Sequence, residues 1–124
     1  MKRQKGQSVA IITFHASHNY GSMLQAYALQ NVVKNLGYHC EIINFRTERQ
    51  KNFYKPVWKQ GSLYERFKRF IISLPKIKEI RQKSKLFEEF LVNDLQLSSK
   101  EYSTLDELYS AHLDYDYVIS GSDQ

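Results

Sequence analysis

A single cysteine, two prolines and five glycines stand among the 124 residues of this chain. One cysteine, Cys40, excludes an intramolecular disulfide framework and suits a reducing compartment. It sits in a stretch that reads as a strand, where it is a buried small residue rather than a nucleophile. No apolar run reaches about 18 residues, so no segment reads as a transmembrane helix. The basic start, Met1-Lys2-Arg3-Gln4-Lys5-Gly6-Gln7, leads into a short apolar run broken by His15, which argues against a signal peptide. The turn after that run has one glycine, not the three of a dinucleotide fingerprint, and a Walker A loop is missing. Dinucleotide and ATP chemistry therefore lack support. His15 and His18 lie close together, but no third and fourth ligands follow at suitable spacing, so no metal site is expected. Internal repeats and low-complexity tracts are also absent.

What remains is one α/β domain at most, with an ordinary apolar content and enough length for a single core. Its charge is uneven. Of 18 Lys and Arg residues, 13 lie between Arg46 and Lys85, against the acids Glu48, Glu65 and Glu79. That region carries a formal charge of +10, and the rest of the chain −5. A basic region attracts polyanions or anionic membrane surfaces; it is also what solvated helix faces look like. No recognition motif accompanies it, so no nucleic acid is expected as a partner.

Ser8-Val9-Ala10-Ile11-Ile12-Thr13-Phe14 is a β-branched run that predicts a buried strand. A helix is expected from about Tyr20 to Leu36, with Ala26, Leu29, Val32, Val33 and Leu36 as its apolar stripe and Gly37 ending it. His39 to Phe45 follows as the second strand, giving a right-handed parallel crossover over residues 1–45. Residues 46–100 read as a basic loop, an irregular excursion over 46–61 with Pro56, Trp58 and Gly61, and then a helical insertion. Ser62 and Glu65 have capping-box spacing, ahead of Leu63, Phe67, Phe70, Ile71 and Leu74 on one face. Pro75 breaks that helix, and a second carries Ile77, Ile80, Phe87 and Leu91. Their apolar faces need a partner, either the sheet or a second domain. Residues 101–124 hold a short helix capped by Thr104 and Glu107, a third strand from Asp116 to Ser120, and a terminal loop. If the third strand lies beside the first, the order is 2-1-3, and a switch point separates strands one and three.

Ligands of open α/β sheets sit at the carboxyl ends of strands. Two polar loops occupy such positions: His15 to Gly21, and Ser120-Gly121-Ser122-Asp123-Gln124. By helical spacing Ser22 and Gln25 share a face with Leu29 and Leu36, so they are expected to look into the crevice. The free N–H groups of the first helical turn favour a phosphate, carboxylate or sugar hydroxyl there. Asn19 is either a plain N-cap or a cap that also touches ligand. Gly21 gives close approach or a tight turn. His15, directly after the strand, ranks ahead of His18 as a ligand contact. Asp123 is a hydroxyl acceptor or a base, or else an Asx cap, and Gln124 a bridge. With nothing after Gln124 to close the site, the chain is expected to be one half of a larger enzyme.

Four segments carry a resemblance: Ile11 to His15; Asn19-Tyr20-Gly21-Ser22-Met23-Leu24-Gln25-Ala26-Tyr27-Ala28-Leu29; Leu36-Gly37-Tyr38 leading into Glu41 to Phe45; and Tyr115 to Gln124. Together they resemble the amino-terminal half of the polysaccharide pyruvyl transferase family. That resemblance implies a Rossmann-like three-layer half of a truncated, GT-B-type two-domain fold. It implies transfer of a pyruvyl unit from phosphoenolpyruvate to hexose hydroxyls of a cell-surface or exopolysaccharide precursor, in the cytoplasm or at the inner face of the membrane. Phosphoenolpyruvate is then the donor and no cofactor is expected. The acceptor is a glycan or lipid-linked sugar, and the remaining partners are a missing carboxyl-terminal domain and an anionic membrane touched peripherally. The resemblance implies that His15, Asn19, Gly21, Gln25, Gly121, Ser122, Asp123 and Gln124 face the cleft; His18, Tyr20 and Ser22 join them as expected substrate contacts from their place beside the first helical turn, with His15 and Asp123 as catalytic candidates. Most groups that hold the donor are expected in the absent half, so the fragment alone is expected to be inactive. Two alternatives stand beside this: a non-catalytic glycan- or anion-binding module, and half of a related glycosyltransferase using a nucleotide sugar.

Overall fold

In the computed structural model the described residues are 6–53, 59 and 61–121. Strand β1 (Ser8–Ile12) is flanked on both sides, so Val9, Ala10 and Ile11 are all buried. A strand covered on both faces reads as a continuous apolar run, and this one does. Helix α1 (Tyr20–Asn35) leads back to β2 (His39–Phe45), which pairs with β1 in parallel. Gly37 follows the helix with φ of +96°, a left-handed conformation that glycine adopts without steric cost.

The expected three-strand sheet has a fourth member. Residues Leu97–Tyr102 form β3, outside β2, and Tyr117–Ser120 form β4, on the other side of β1. The order is β3-β2-β1-β4, with every pairing parallel. The order reverses between β1 and β4, which makes that junction the switch point of this sheet. The new strand also straddles the expected boundary between 100 and 101. It escapes a hydropathy reading because only Tyr102 of its six residues is buried.

Helices cover both faces, an arrangement compatible with a Rossmann-like fold. On one face Val9, Ile11, Cys40 and Ile42 pack with Met23, Ala26 and Val33 of α1 and with Phe87 and Leu91 of α4 (Ile77–Asn93). On the other, Ala10, Ile43 and Tyr102 meet Leu108 of α5 (Leu105–Ser110) and the segment Ala111 to Tyr115. The capping boxes at Ser62 and Thr104 form as spaced. The first starts α3 (Leu63–Ser73), and a 3-10 turn at Leu74–Lys76, containing Pro75, joins α3 to α4. Among the described residues no helix is long and apolar enough to cross a membrane.

Two expectations need correction. Residues 48–53 are not irregular: they form helix α2 (Glu48–Phe53), started by a reciprocal pair in which Thr47 N–H donates to Gln50 Oε1 (3.0 Å) and Gln50 N–H donates to Thr47 Oγ1 (3.2 Å). Pro56 and Trp58, also assigned to that excursion, lie outside the described residues. The buried face of α1 is Met23, Ala26, Gln30 and Val33, whereas Val32 and Leu36 are exposed. A glutamine sits inward because β2 and β3 leave main-chain groups to satisfy at their start. Gln30 Nε2 donates to the Cys40 carbonyl (3.3 Å) and the Gln96 carbonyl (2.8 Å), and its Oε1 accepts from Gln96 N–H (3.0 Å). A buried polar side chain with both ends bonded costs little, but removing it strands its partners. Gln30→Leu is therefore expected to lower unfolding free energy in urea by about 2 kcal/mol; an unchanged denaturation midpoint would contradict the role assigned to this side chain.

Candidate functional site

The two loop-bearing strand ends lie side by side. Gly121 N–H donates to the Ile12 carbonyl (2.7 Å), extending the β1–β4 ladder by one step. A Cβ on Gly121 would sit 2.6 Å from Thr13 Cβ, so no larger residue fits without displacing that side chain. Ser122, Asp123 and Gln124 lie outside the described residues. Asp116, at the opposite end of β4, accepts from Ser8 N–H (2.7 Å) and Ser8 Oγ (3.0 Å), which fixes the register of β4 against β1.

Beyond the ends of β1 and β2 lies a cleft of about 210 Å³, lined by Phe14, His15, Ala16, Ser17, Phe45, Arg49, Gln50 and Phe53. It is thus built from the turn after β1, the last residue of β2, and α2. Among the described residues its lining comes from the β1 turn, β2 and α2, and Gly121 is not part of it. Its wall is mostly aromatic and aliphatic, with a guanidinium, a carboxamide and a hydroxyl interspersed. Ser17 Oγ is buried and has no hydrogen-bond partner among the described residues. A buried hydroxyl without a partner beside a cleft is a group a ligand can satisfy.

The residues implied to bind substrate separate into distinct roles. His15 is 1% exposed, with Nδ1 3.2 Å from the Thr13 carbonyl and Nε2 3.1 Å from Asn44 Oδ1. Burial pushes its pKa down from 6.5, outweighing those hydrogen bonds, and the charge of Arg46 adds to the depression. It is a neutral ring that props the turn. His18 turns away from the cleft: Nε2 lies 2.8 Å from Glu88 Oε1, and the ring stacks on Phe87 with centroids 5.3 Å apart. Arg46 donates to the same Glu88 carboxylate, NH1 at 3.3 Å and NH2 at 3.1 Å. Burial raises the pKa of Glu88, but the Arg46 and His18 hydrogen bonds outweigh it and hold the carboxyl below its usual range. This cluster also holds His18 at φ of +48°, a backbone conformation uncommon outside glycine.

Asn19 is an N-cap. Its Oδ1 accepts from Gly21 N–H (2.8 Å) and Ser22 N–H (3.4 Å), consuming two of the free donors of the first turn. Tyr20 packs on Phe87 with centroids 4.9 Å apart. Ser22 is half-buried and Gln25 is exposed, because α1 is rotated from the orientation its stripe implied. Arg49, Gln50, Phe53, Phe45 and Ser17 were not anticipated as site residues. For α2 the signal was present, since Thr47-x-x-Gln50 is itself a capping-box spacing. Ser17 lies in the polar loop His15 to Gly21, but nothing in the sequence singles it out within that loop. Among the described residues no group of three His, Cys, Asp or Glu could hold a metal ion.

Comparison with known proteins returns one family: the model of the polysaccharide pyruvyl transferases matches residues 19–124. No curated protein and no solved structure matches the chain.

The depressed pKa of His15 makes stability depend on pH. Above 6.5 the ring is neutral whether folded or unfolded and adds no pH dependence. Below it the unfolded chain takes up a proton that the folded chain resists, so stability falls as pH falls. Glu88, held low, adds a second loss as pH drops through the ordinary carboxylate range. Replacing His15 with Gln is expected to flatten the slope of unfolding free energy against pH just below 6.5 while leaving the deeper acid loss. An unaltered slope would show that His15 is not a buried neutral imidazole.

Proposed function

Because the chain belongs to the polysaccharide pyruvyl transferase family, and hence to a family of transferases, we propose that it forms the acceptor-binding half of a GT-B-like enzyme. That enzyme moves a pyruvyl unit from phosphoenolpyruvate to hydroxyls of a hexose in a cell-surface or exopolysaccharide precursor. The acceptor is carried on a lipid or a growing polymer. The observation behind the acceptor assignment is the cleft over the ends of β1 and β2. The C–H-rich face of a hexose packs on rings such as Phe14 and Phe53. Its hydroxyls need donors and acceptors, and Ser17, Gln50 and Arg49 are of the right kind. Arg49 also suits a carboxylate or phosphate on the sugar carrier.

Within this reading His15 positions the turn and Asp123 is the remaining candidate base. Transfer needs groups fixed on both sides of the reacting carbon and shielded from water. In this reading the groups facing the cleft come from a carboxyl-terminal half, so the chain alone binds without reacting. The single buried thiol, Cys40, supports a cytoplasmic setting. A second reading, a glycan-binding module with no chemistry, is favoured by the burial of His15, whose ring nitrogens face the Thr13 carbonyl and the Asn44 carboxamide.

Thermal unfolding separates these readings from a nucleotide-sugar enzyme. A hexose-terminated oligosaccharide at about ten times its Kd is expected to raise Tm by about 5 °C, while a nucleotide sugar leaves it unchanged. The chain with acceptor and phosphoenolpyruvate is expected to release no phosphate until a carboxyl-terminal half from the same family is supplied. Stabilisation by the nucleotide sugar alone would overturn the proposal, and silence after complementation would leave the module as the better account.

A further inference from the structure

Helix α3 is amphipathic and uncovered. Leu63, Phe67, Phe70, Ile71 and Leu74 follow helical spacing, so they form one stripe. In a lone domain such a stripe packs on the core. Here no residue of α3 is buried, with Leu63 80% and Phe67 65% exposed, and among the described residues its main packing is with the adjoining 3-10 turn. Only the second half of α4, through Phe87 and Leu91, reaches the core. Helix α3 therefore lies away from the packed core.

Its charge says what it meets. Between Ser62 and Lys85 there are eight lysines and arginines against two glutamates. Arg66 and Lys68 fall on the two borders of the stripe at 100° per residue, and Lys76 and Lys78 follow at the turn into α4. Lysine is depleted at protein–protein interfaces. Apolar residues bordered by cations fit the boundary of an anionic bilayer, where the stripe enters the headgroup layer and the cations meet the surface potential.

We propose that α3 and the first turns of α4 dock on an anionic membrane surface. This docking holds whether or not the cleft takes a sugar, because the two features share no residue. Sedimentation of the whole chain with vesicles tests it. The chain is expected to bind vesicles of equal parts phosphatidylcholine and phosphatidylglycerol, to ignore phosphatidylcholine alone, and to release as salt is raised. The double variant Phe67→Glu, Ile71→Glu is expected to lose about tenfold or more of this binding while keeping the far-UV spectrum and Tm of the parent, since both side chains are exposed. Any of three results overturns the proposal: no binding to the anionic vesicles, equal binding to the neutral ones, or a double variant that binds like the parent. A dimer that the double variant dissolves, with no vesicle binding, assigns the stripe to a second copy instead.

Discussion

Strand β1 carries the rest of the site. It has a neighbour on each side, its three central residues are buried, and both polar loops hang from its end or from the strand beside it. The contact that makes this work is between Gly121 and Thr13. The Gly121 N–H closes one more rung onto the Ile12 carbonyl, and the absent side chain lets the two tips touch. Any larger residue there must push Thr13 aside and so disturb the turn that holds His15 and Ser17. The Ser8–Asp116 hydrogen bonds set the same pairing from the opposite end.

The insertion between β2 and β3 is a brace as well as a surface. Glu88 takes one histidine from the turn after β1 and one arginine from the end of β2, so a single carboxylate from α4 ties both tips. Phe87 lies under His18 and Tyr20, and Lys83 stands 5.8 Å above both the Tyr20 and Phe87 rings. With the start of α1 packed in this way, the open volume lies toward β2 and α2. Helix α3 stays exposed because only the later part of α4 is anchored in this way.

What the sequence disclosed follows from range. The first strand, the crossover helix with its glycine stop, the second strand and both capping boxes depend on residues within a few positions of one another, and all were legible. The strand at Leu97–Tyr102 was not, because it is an edge strand whose side chains are mostly outside the core. The rotation of α1 was hidden for a related reason. Gln30 is inward because of Gln96, 66 residues away, and hydropathy alone assigns a glutamine to water. His18 shows the same range: its partner Glu88 is 70 residues on, so its tie between the turn and α4 has no local signal. Helix α2 could have been read from Thr47 and Gln50, had basic composition not suggested a loop.

The central claim is that the ends of β1 and β2 together with α2 make one sugar-binding cleft. Amide chemical shifts of the isotope-labelled chain, followed while a hexose-terminated oligosaccharide is added, test it most directly. The account predicts that the saturating shifts gather at residues 14–17, at Phe45 and along 49–53. Shifts confined to the opposite end of the strands, around Tyr38, His39 and Gln96, would contradict it.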